Sequence, residues 1–126
     1  KKYHGETKLL WKQINKESIE HICPQIPKDT WIDDFSNLKS VKQRKKYTNS
    51  LGNLLLLSPK KNSIASNKPF KDKKVIYSSG SFNEIEVSKY EKWTTKEIDE
   101  RSEKILEFMN ERWHLGLKVA DISKLK

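Results

Sequence analysis

Residues 19–25 read IEHICPQ, and residues 51–62 read LGNLLLLSPKKN. Each stretch holds a short apolar run, and the first carries a glutamate and a histidine side by side. We expect a strand over residues 18–25, in which Pro24 ends the sheet hydrogen bonds because proline has no N–H to donate. Residues 54–57 are too apolar for an exposed strand, so we expect a short buried strand that pairs antiparallel with the first.

Five blocks of the sequence occur in an order that resembles one enzyme family. They are residues 19–25, residues 51–57, Asn62, residues 70–73 (FKDK) and residues 93–101, which begin with tryptophan and end with arginine. In this order they resemble the His-Asn-His (HNH, ββα-metal) nuclease motif. More narrowly, they resemble the C-terminal nuclease domain of GmrSD-type modification-dependent restriction enzymes, over roughly residues 17–113.

This resemblance implies an α+β fold. Its ββα-metal (HNH) core would contain a short antiparallel two-stranded hairpin, flanked by N- and C-terminal helices. The implied activity is metal-dependent hydrolysis of phosphodiester bonds, by nicking or cutting duplex DNA in a restriction or phage-defence system. Two alternatives stay open, namely a non-catalytic basic module that only binds DNA and a nuclease that cleaves RNA.

The resemblance also assigns roles to four residues. His21 would be the general base, because a neutral imidazole can take a proton from the attacking water. Asn53 would support the catalytic loop by hydrogen bonding its backbone. Glu20 and Asn62 would hold a divalent cation, Mg²⁺ or Mn²⁺, since such ions prefer oxygen ligands. Neighbours on a strand point to opposite faces, so Glu20 and His21 can share a pocket only where the strand ends or bulges.

The charge of the chain favours an anionic partner. Lysine and arginine number 26 against 17 aspartate and glutamate residues, which gives a net charge of +9. Nucleic acid is the commonest partner of so basic a domain. The residues expected to contact phosphates are Lys42, Arg44, Lys45, Lys46, Lys71 and Lys73. The competing interpretation of these basic runs is a solvated face without a ligand.

Several further elements are expected before the second strand and after it. Residues 6–17 have the apolar spacing of a short amphipathic helix, and residues 37–47 form a basic helix or an extended loop. A helix begins near Lys61 or Asn62. A second begins near Phe70, and its inward residues are Val75 and Ile76. Residues 78–81 (SSGS) form a flexible link.

The last helix has the clearest local signal. Thr94 and Glu97 have the spacing of a capping box, in which both side chains bond orphan N–H groups. Gly116 is the expected end, and residues 118–126 are an expected loose tail. The residues expected on one face of this helix are Ile98, Ile105, Met109 and Trp113. The tryptophans expected in the core, rather than stacked on bases, are Trp31, Trp93 and Trp113.

Length and composition suggest a single domain of 126 residues. The Lys1-Lys2 start resembles a cut end, so we expect a piece excised from a longer protein, whose N-terminal domain would handle nucleotides by the resemblance. No apolar run approaches the roughly 20 residues that cross a bilayer, so no membrane partner is expected. The single cysteine, Cys23, excludes an internal disulfide and favours a cytoplasmic location, and we expect it to be a small buried residue.

Overall fold

The computed structural model of the chain describes residues 19–28, 30–38 and 40–118. The predicted helix over residues 6–17 lies outside these ranges, as does the predicted tail beyond residue 118. Within them the architecture is α+β, with many helices around one small sheet. The elements are β1 (Ile19–His21), α1 (Thr30–Asp34), α2 (Val41–Thr48), a 3-10 turn (Leu51–Asn53), β2 (Leu54–Leu56), α3 (Pro59–Ala65), α4 (Phe70–Tyr77), α5 (Phe82–Ser88) and α6 (Thr95–Trp113).

The sheet consists of β1 and β2, paired antiparallel as predicted. Its three residue pairs are Ile19 with Leu56, Glu20 with Leu55 and His21 with Leu54. The first strand is shorter than predicted, because its backbone turns to Asn53 after His21. The Ile22 N–H donates to the Asn53 carbonyl at 2.9 Å, and the Cys23 N–H donates to the Asn53 side chain at 2.8 Å.

Aromatic rings form the centre of the core. Phe70 stacks on Trp93 with 5.4 Å between ring centroids, and it meets Trp31 edge-on at 6.4 Å. Trp31 and Trp93 are therefore core residues, as predicted. The same prediction is wrong for Trp113, whose side chain is 57% exposed. The buried residues of α6 lie in its first half, whereas residues 111–113 at its end are exposed.

The final helix begins as its sequence predicts. The Thr94 N–H donates to the Glu97 carboxylate at 2.7 Å, and the Thr94 hydroxyl contacts the same oxygen. The helix ends at Trp113, before the predicted Gly116, because His114 takes up a left-handed conformation with φ of 50°. No helix in the described ranges combines the length and the apolar character needed to span a bilayer.

Two helices after the sheet differ from their predictions. Helix α3 starts at Pro59 instead of Lys61, since proline suits the first helical position and the Ser58 hydroxyl accepts from the Lys61 N–H at 3.3 Å. In α4 the buried face contains Phe70, Lys73 and Tyr77, which follow helical spacing. Val75 lies off this face and is 72% exposed.

The prediction for Val75 is therefore wrong, whereas Ile76 packs partly buried against the core.

The basic segment forms a helix, α2, which Ser40 and Gln43 cap reciprocally. Helix α5 had no predicted counterpart. It follows the SSGS link, and the Ser81-x-x-Glu84 spacing of its capping box is a signal that could have identified it.

Helix α6 packs directly on the 3-10 turn through Gly52. The Gly52 N–H donates to the Ser102 hydroxyl at 2.8 Å. A Cβ atom at Gly52 would collide with the Ile98 carbonyl oxygen. Only glycine allows this close approach, and the approach fixes the turn that presents Asn53.

Candidate active site

His21 lies at the carboxyl end of β1, at a shallow depression of about 300 Å³. Asn62 and Asn67, from α3 and the loop after it, line the same depression. The His21 side chain is partly buried, and a hydrogen bond joins it to the Asn49 side chain. The antiparallel sheet and the start of α3 thus bring His21 and Asn62 together, although 41 positions separate them in the sequence.

The surroundings of His21 favour its neutral form. Burial lowers the pKa of His21 below its ordinary value of 6.5, and the nearby Lys73 ammonium lowers it further. The hydrogen bond to Asn49 acts in the opposite direction because it favours the protonated form. The net lowering leaves the imidazole unprotonated at neutral pH, in the state that accepts a proton.

Asn53 is fully buried, and its amide bonds the backbone on both sides of the site. Its Oδ1 accepts from the Cys23 N–H at 2.8 Å and from the Trp93 indole N–H at 3.0 Å. Its Nδ2 donates to the Cys23 and Thr48 carbonyls, both at 2.9 Å. These contacts are the backbone support predicted for Asn53. They fix the chain two residues beyond His21, without presenting the amide to solvent.

The sequence alone indicates no role for Arg101, although this arginine ends the tryptophan-to-arginine block of residues 93–101. Its guanidinium donates to the Gly52 carbonyl at 2.8 Å and to the Leu54 carbonyl at 2.7 Å. These carbonyls flank Asn53 in the chain, so Arg101 fixes the orientation of the turn from α6. Its place at the end of the tryptophan-to-arginine block was the signal that could have identified it.

Glu20 lies on the core side of β1, as strand alternation requires, and its side chain is 3% exposed. Its Oε1 accepts from the Lys73 ammonium at 2.5 Å and from the Tyr77 hydroxyl at 2.8 Å. Burial raises the pKa of Glu20 and lowers the pKa of Lys73, and in each case the charge of the partner opposes the shift.

The prediction that Lys73 contacts DNA is corrected by this placement. Its side chain has no exposed surface, so it cannot reach a phosphate. The sequence suggested a surface residue because lysine is rarely buried unless it is paired, and here the partner lies 53 positions away in the chain.

Of the two predicted metal ligands, Glu20 does not fit a cation as its side chain stands. Glu20 is one of the residues that line the depression, but its carboxylate lies on the core side and is paired with the Lys73 ammonium. The Asn62 amide nitrogen donates to the Ile19 carbonyl at 2.9 Å. Across residues 19–28, 30–38 and 40–118, no group of three or more His, Cys, Asp or Glu side chains is arranged to hold a metal.

The remaining basic residues predicted to contact DNA are exposed. Helix α2 carries four of them, and α4 carries one: Lys42, Arg44, Lys45, Lys46 and Lys71. Helix α2 ends at the site, because its last residue, Thr48, bonds Asn53 and the next residue, Asn49, bonds His21. The basic helix and the imidazole are thus joined through two consecutive residues.

Cys23 is buried and free, as predicted. Burial raises the pKa of its thiol to about 12, so the thiol stays protonated and is a poor nucleophile.

The family model for the C-terminal domain of GmrSD restriction endonucleases matches residues 2–108. The match includes every residue that forms the depression and the hydrogen-bond network around it. Neither the curated proteins nor the solved structures gave a match.

Proposed function

Because the chain belongs to the family of C-terminal domains of GmrSD restriction endonucleases, we propose that it hydrolyses phosphodiester bonds of duplex DNA with His21 as general base. The observation that carries this proposal is the position of His21. Its imidazole is partly buried at an open depression, is bonded to Asn49 and has a lowered pKa. A general base needs this combination of access, orientation and neutrality at working pH.

The proposed reaction is a single displacement at phosphorus. His21 takes a proton from a water molecule as the water oxygen forms its bond to phosphorus. The bond from phosphorus to the 3′ oxygen breaks, and the departing oxygen acquires a proton from solvent. The products would carry 5′-phosphate and 3′-hydroxyl ends.

The element order supports an HNH-type core. His21 ends β1, Asn53 precedes β2 and Asn62 lies on α3, which follows β2 after a short connection. The first strand, the turn that leads into the second strand and the following helix therefore contribute these residues in the order of the ββα-metal motif. We also propose that cleavage requires Mg²⁺ or Mn²⁺. Since the carboxylate of Glu20 is already paired, we assign no step to the ion.

The proposed substrate is duplex DNA, held by its phosphates. The net charge of +9 and the exposed basic residues of α2 support this choice. Phosphate contacts position a protein on DNA without reading its sequence, so recognition of modified DNA is proposed to belong to an N-terminal nucleotide-handling domain of a longer chain. The free, buried Cys23 is compatible with the proposed cytoplasmic location.

The test is incubation of supercoiled plasmid with the purified chain in Mg²⁺ or Mn²⁺, in parallel with EDTA and with a labelled RNA of matching sequence. The proposal expects nicked or linear plasmid with either ion and no product with EDTA. Cleavage that persists in EDTA would remove the metal requirement. Cleavage of RNA alone would overturn DNA as substrate, and binding without any cleavage would favour the non-catalytic module.

A further inference from the structure

We propose that Lys73 and Glu20 form a positioning device for His21, in which Lys73 fixes the carboxyl end of β1 and Glu20 serves as its counter-ion instead of as a metal ligand. The inference rests on the proposed nuclease function, because it explains how the imidazole of that reaction is oriented. It departs from the expectation that Glu20 holds a cation.

The three N–H donors of Lys73 have three oxygen acceptors. The ammonium donates to Glu20 Oε1 at 2.5 Å and to the carbonyls of His21 and Ile22, each at 3.0 Å. A lysine ammonium has three donors, so its bonding capacity is used completely. Two of the three acceptors belong to the backbone of His21 itself and of the next residue. Lys73 therefore acts directly on the peptide that sets the direction of the imidazole.

Tyr77 strengthens this arrangement from the same helix face. It lies one turn after Lys73 on α4, as residues four apart do, and its hydroxyl donates to the same Glu20 oxygen at 2.8 Å. Glu20 is thus held by two residues of α4 while its own strand carries His21 on the other side. The result is a rigid link between α4 and the catalytic strand.

The buried position of the pair argues for a geometric role. Removing two charges from water is costly, and replacing a buried ion pair by apolar residues is often neutral or stabilising. A gain in stability alone therefore explains poorly why the Lys73 side chain has no exposed surface. Its bonds to the His21 and Ile22 carbonyls supply a stronger one, because small displacements of a catalytic group can lower rates by about 10²-fold.

The deciding experiment compares Lys73→Met and Glu20→Gln with the wild-type chain. Cleavage kinetics are measured across a Mn²⁺ titration, and Mn²⁺ affinity is measured separately by calorimetry. Lys73→Met is expected to lower kcat by about 10²-fold with little change in KM, since the His21 carbonyl is left without its donor. Glu20→Gln keeps an oxygen for Lys73 and Tyr77, so its kcat is expected to fall by less than about 10-fold, with unchanged Mn²⁺ affinity.

A ligand role for Glu20 predicts a different pattern. Glu20→Gln would then weaken Mn²⁺ binding by about 10-fold or more, and this result overturns the proposal even if Lys73→Met fails to fold. Val87→Ala is the matched control, because Val87 is fully buried on α5 and away from the depression. It is expected to lower stability without lowering kcat. If kcat fell equally in this control, loss of stability alone would explain the effect of Lys73→Met, and the positioning role would be overturned.

The two proposals fail in distinguishable ways. A wild-type chain that cleaves no DNA overturns the proposed function, and the positioning role with it. An active wild type whose Lys73→Met variant keeps its kcat overturns only the positioning role.

Discussion

At the scale of single residues, the protonation state of His21 controls the proposed chemistry. A protonated imidazole cannot accept the proton of water, so cleavage should rise with pH through the pKa of His21. Burial lowers that pKa below 6.5, which places the midpoint of the rise below 6.5. Asn49→Ala removes the bond that favours the protonated form and should lower the midpoint further. The measurement is kcat/KM against pH at fixed metal concentration, and a midpoint above 6.5 would contradict the account.

Asn53 also acts as a single residue, but the quantity that it affects is the free energy of unfolding. Asn53→Ala leaves the Cys23 N–H, the Trp93 indole N–H and two carbonyls without their buried partner. Each unsatisfied buried group costs about 1–3 kcal/mol, so the free energy of unfolding should fall by at least about 2 kcal/mol. Urea unfolding measures this decrease. Asn83→Ala, at an exposed position of α5, is the control and should change stability by less than about 0.5 kcal/mol.

At the scale of elements, α2 is the helix proposed to meet the DNA backbone. Neutralising Lys42, Arg44, Lys45 and Lys46 to glutamine should reduce the slope of log K against log[salt] by about 0.9 for each phosphate that the helix no longer neutralises. The effect should be equal for unrelated DNA sequences, because phosphate contacts carry no sequence information. Binding is measured in a cleavage-deficient His21→Ala background.

The control for the α2 variant removes the same total positive charge from helices and loops outside α2. Four other exposed lysines are changed to glutamine, namely Lys89, Lys92, Lys96 and Lys104. If α2 contacts DNA, the control slope changes much less than the α2 slope. Equal changes in both variants would show that only net charge matters and would remove α2 from the interface.

The contact between α6 and the 3-10 turn gives a second prediction at this scale. Gly52→Ala places a methyl group against the Ile98 carbonyl and Ser102, and the backbone of a helix cannot move aside easily. Overpacking of this kind costs about 1–3 kcal/mol, which urea unfolding would detect. At Gly80 the nearest atoms belong to the end of the Glu84 side chain, which can rotate. Gly80→Ala should therefore cost less, and the reverse order would refute the tight contact at Gly52.

At the scale of the whole molecule, the features that could be predicted from sequence are those with local causes. Thr94 and Glu97 are three positions apart, so a capping box could be identified from their spacing alone. The apolar runs around His21 and Leu55 likewise predicted the antiparallel pair. Strand alternation also accounts for the opposite orientations of Glu20 and His21, although the resemblance to the nuclease family had assigned both side chains to one pocket.

The features that could not be predicted depend on which elements pack against one another in the folded chain. Whether Val75 or Lys73 faces inward depends on where the sheet lies beside α4, and no spacing within that helix determines it. Trp113 fits the apolar spacing of α6, but its side chain is exposed, whereas Ile98 on the same face is fully buried. The partner of Glu20 is 53 positions distant, so the ion pair could be found only from the assembled fold.

His21 is the residue proposed to perform the chemistry of the whole domain. The most direct test compares plasmid cleavage by His21→Ala with cleavage by His114→Asn, an exposed control in which asparagine tolerates the left-handed backbone. General-base help is worth about 10²–10⁴-fold. We therefore expect the rate of His21→Ala to fall by at least about 10²-fold, with its circular dichroism and DNA affinity retained, while His114→Asn cleaves like wild type. Cleavage by folded His21→Ala at the wild-type rate would contradict the account.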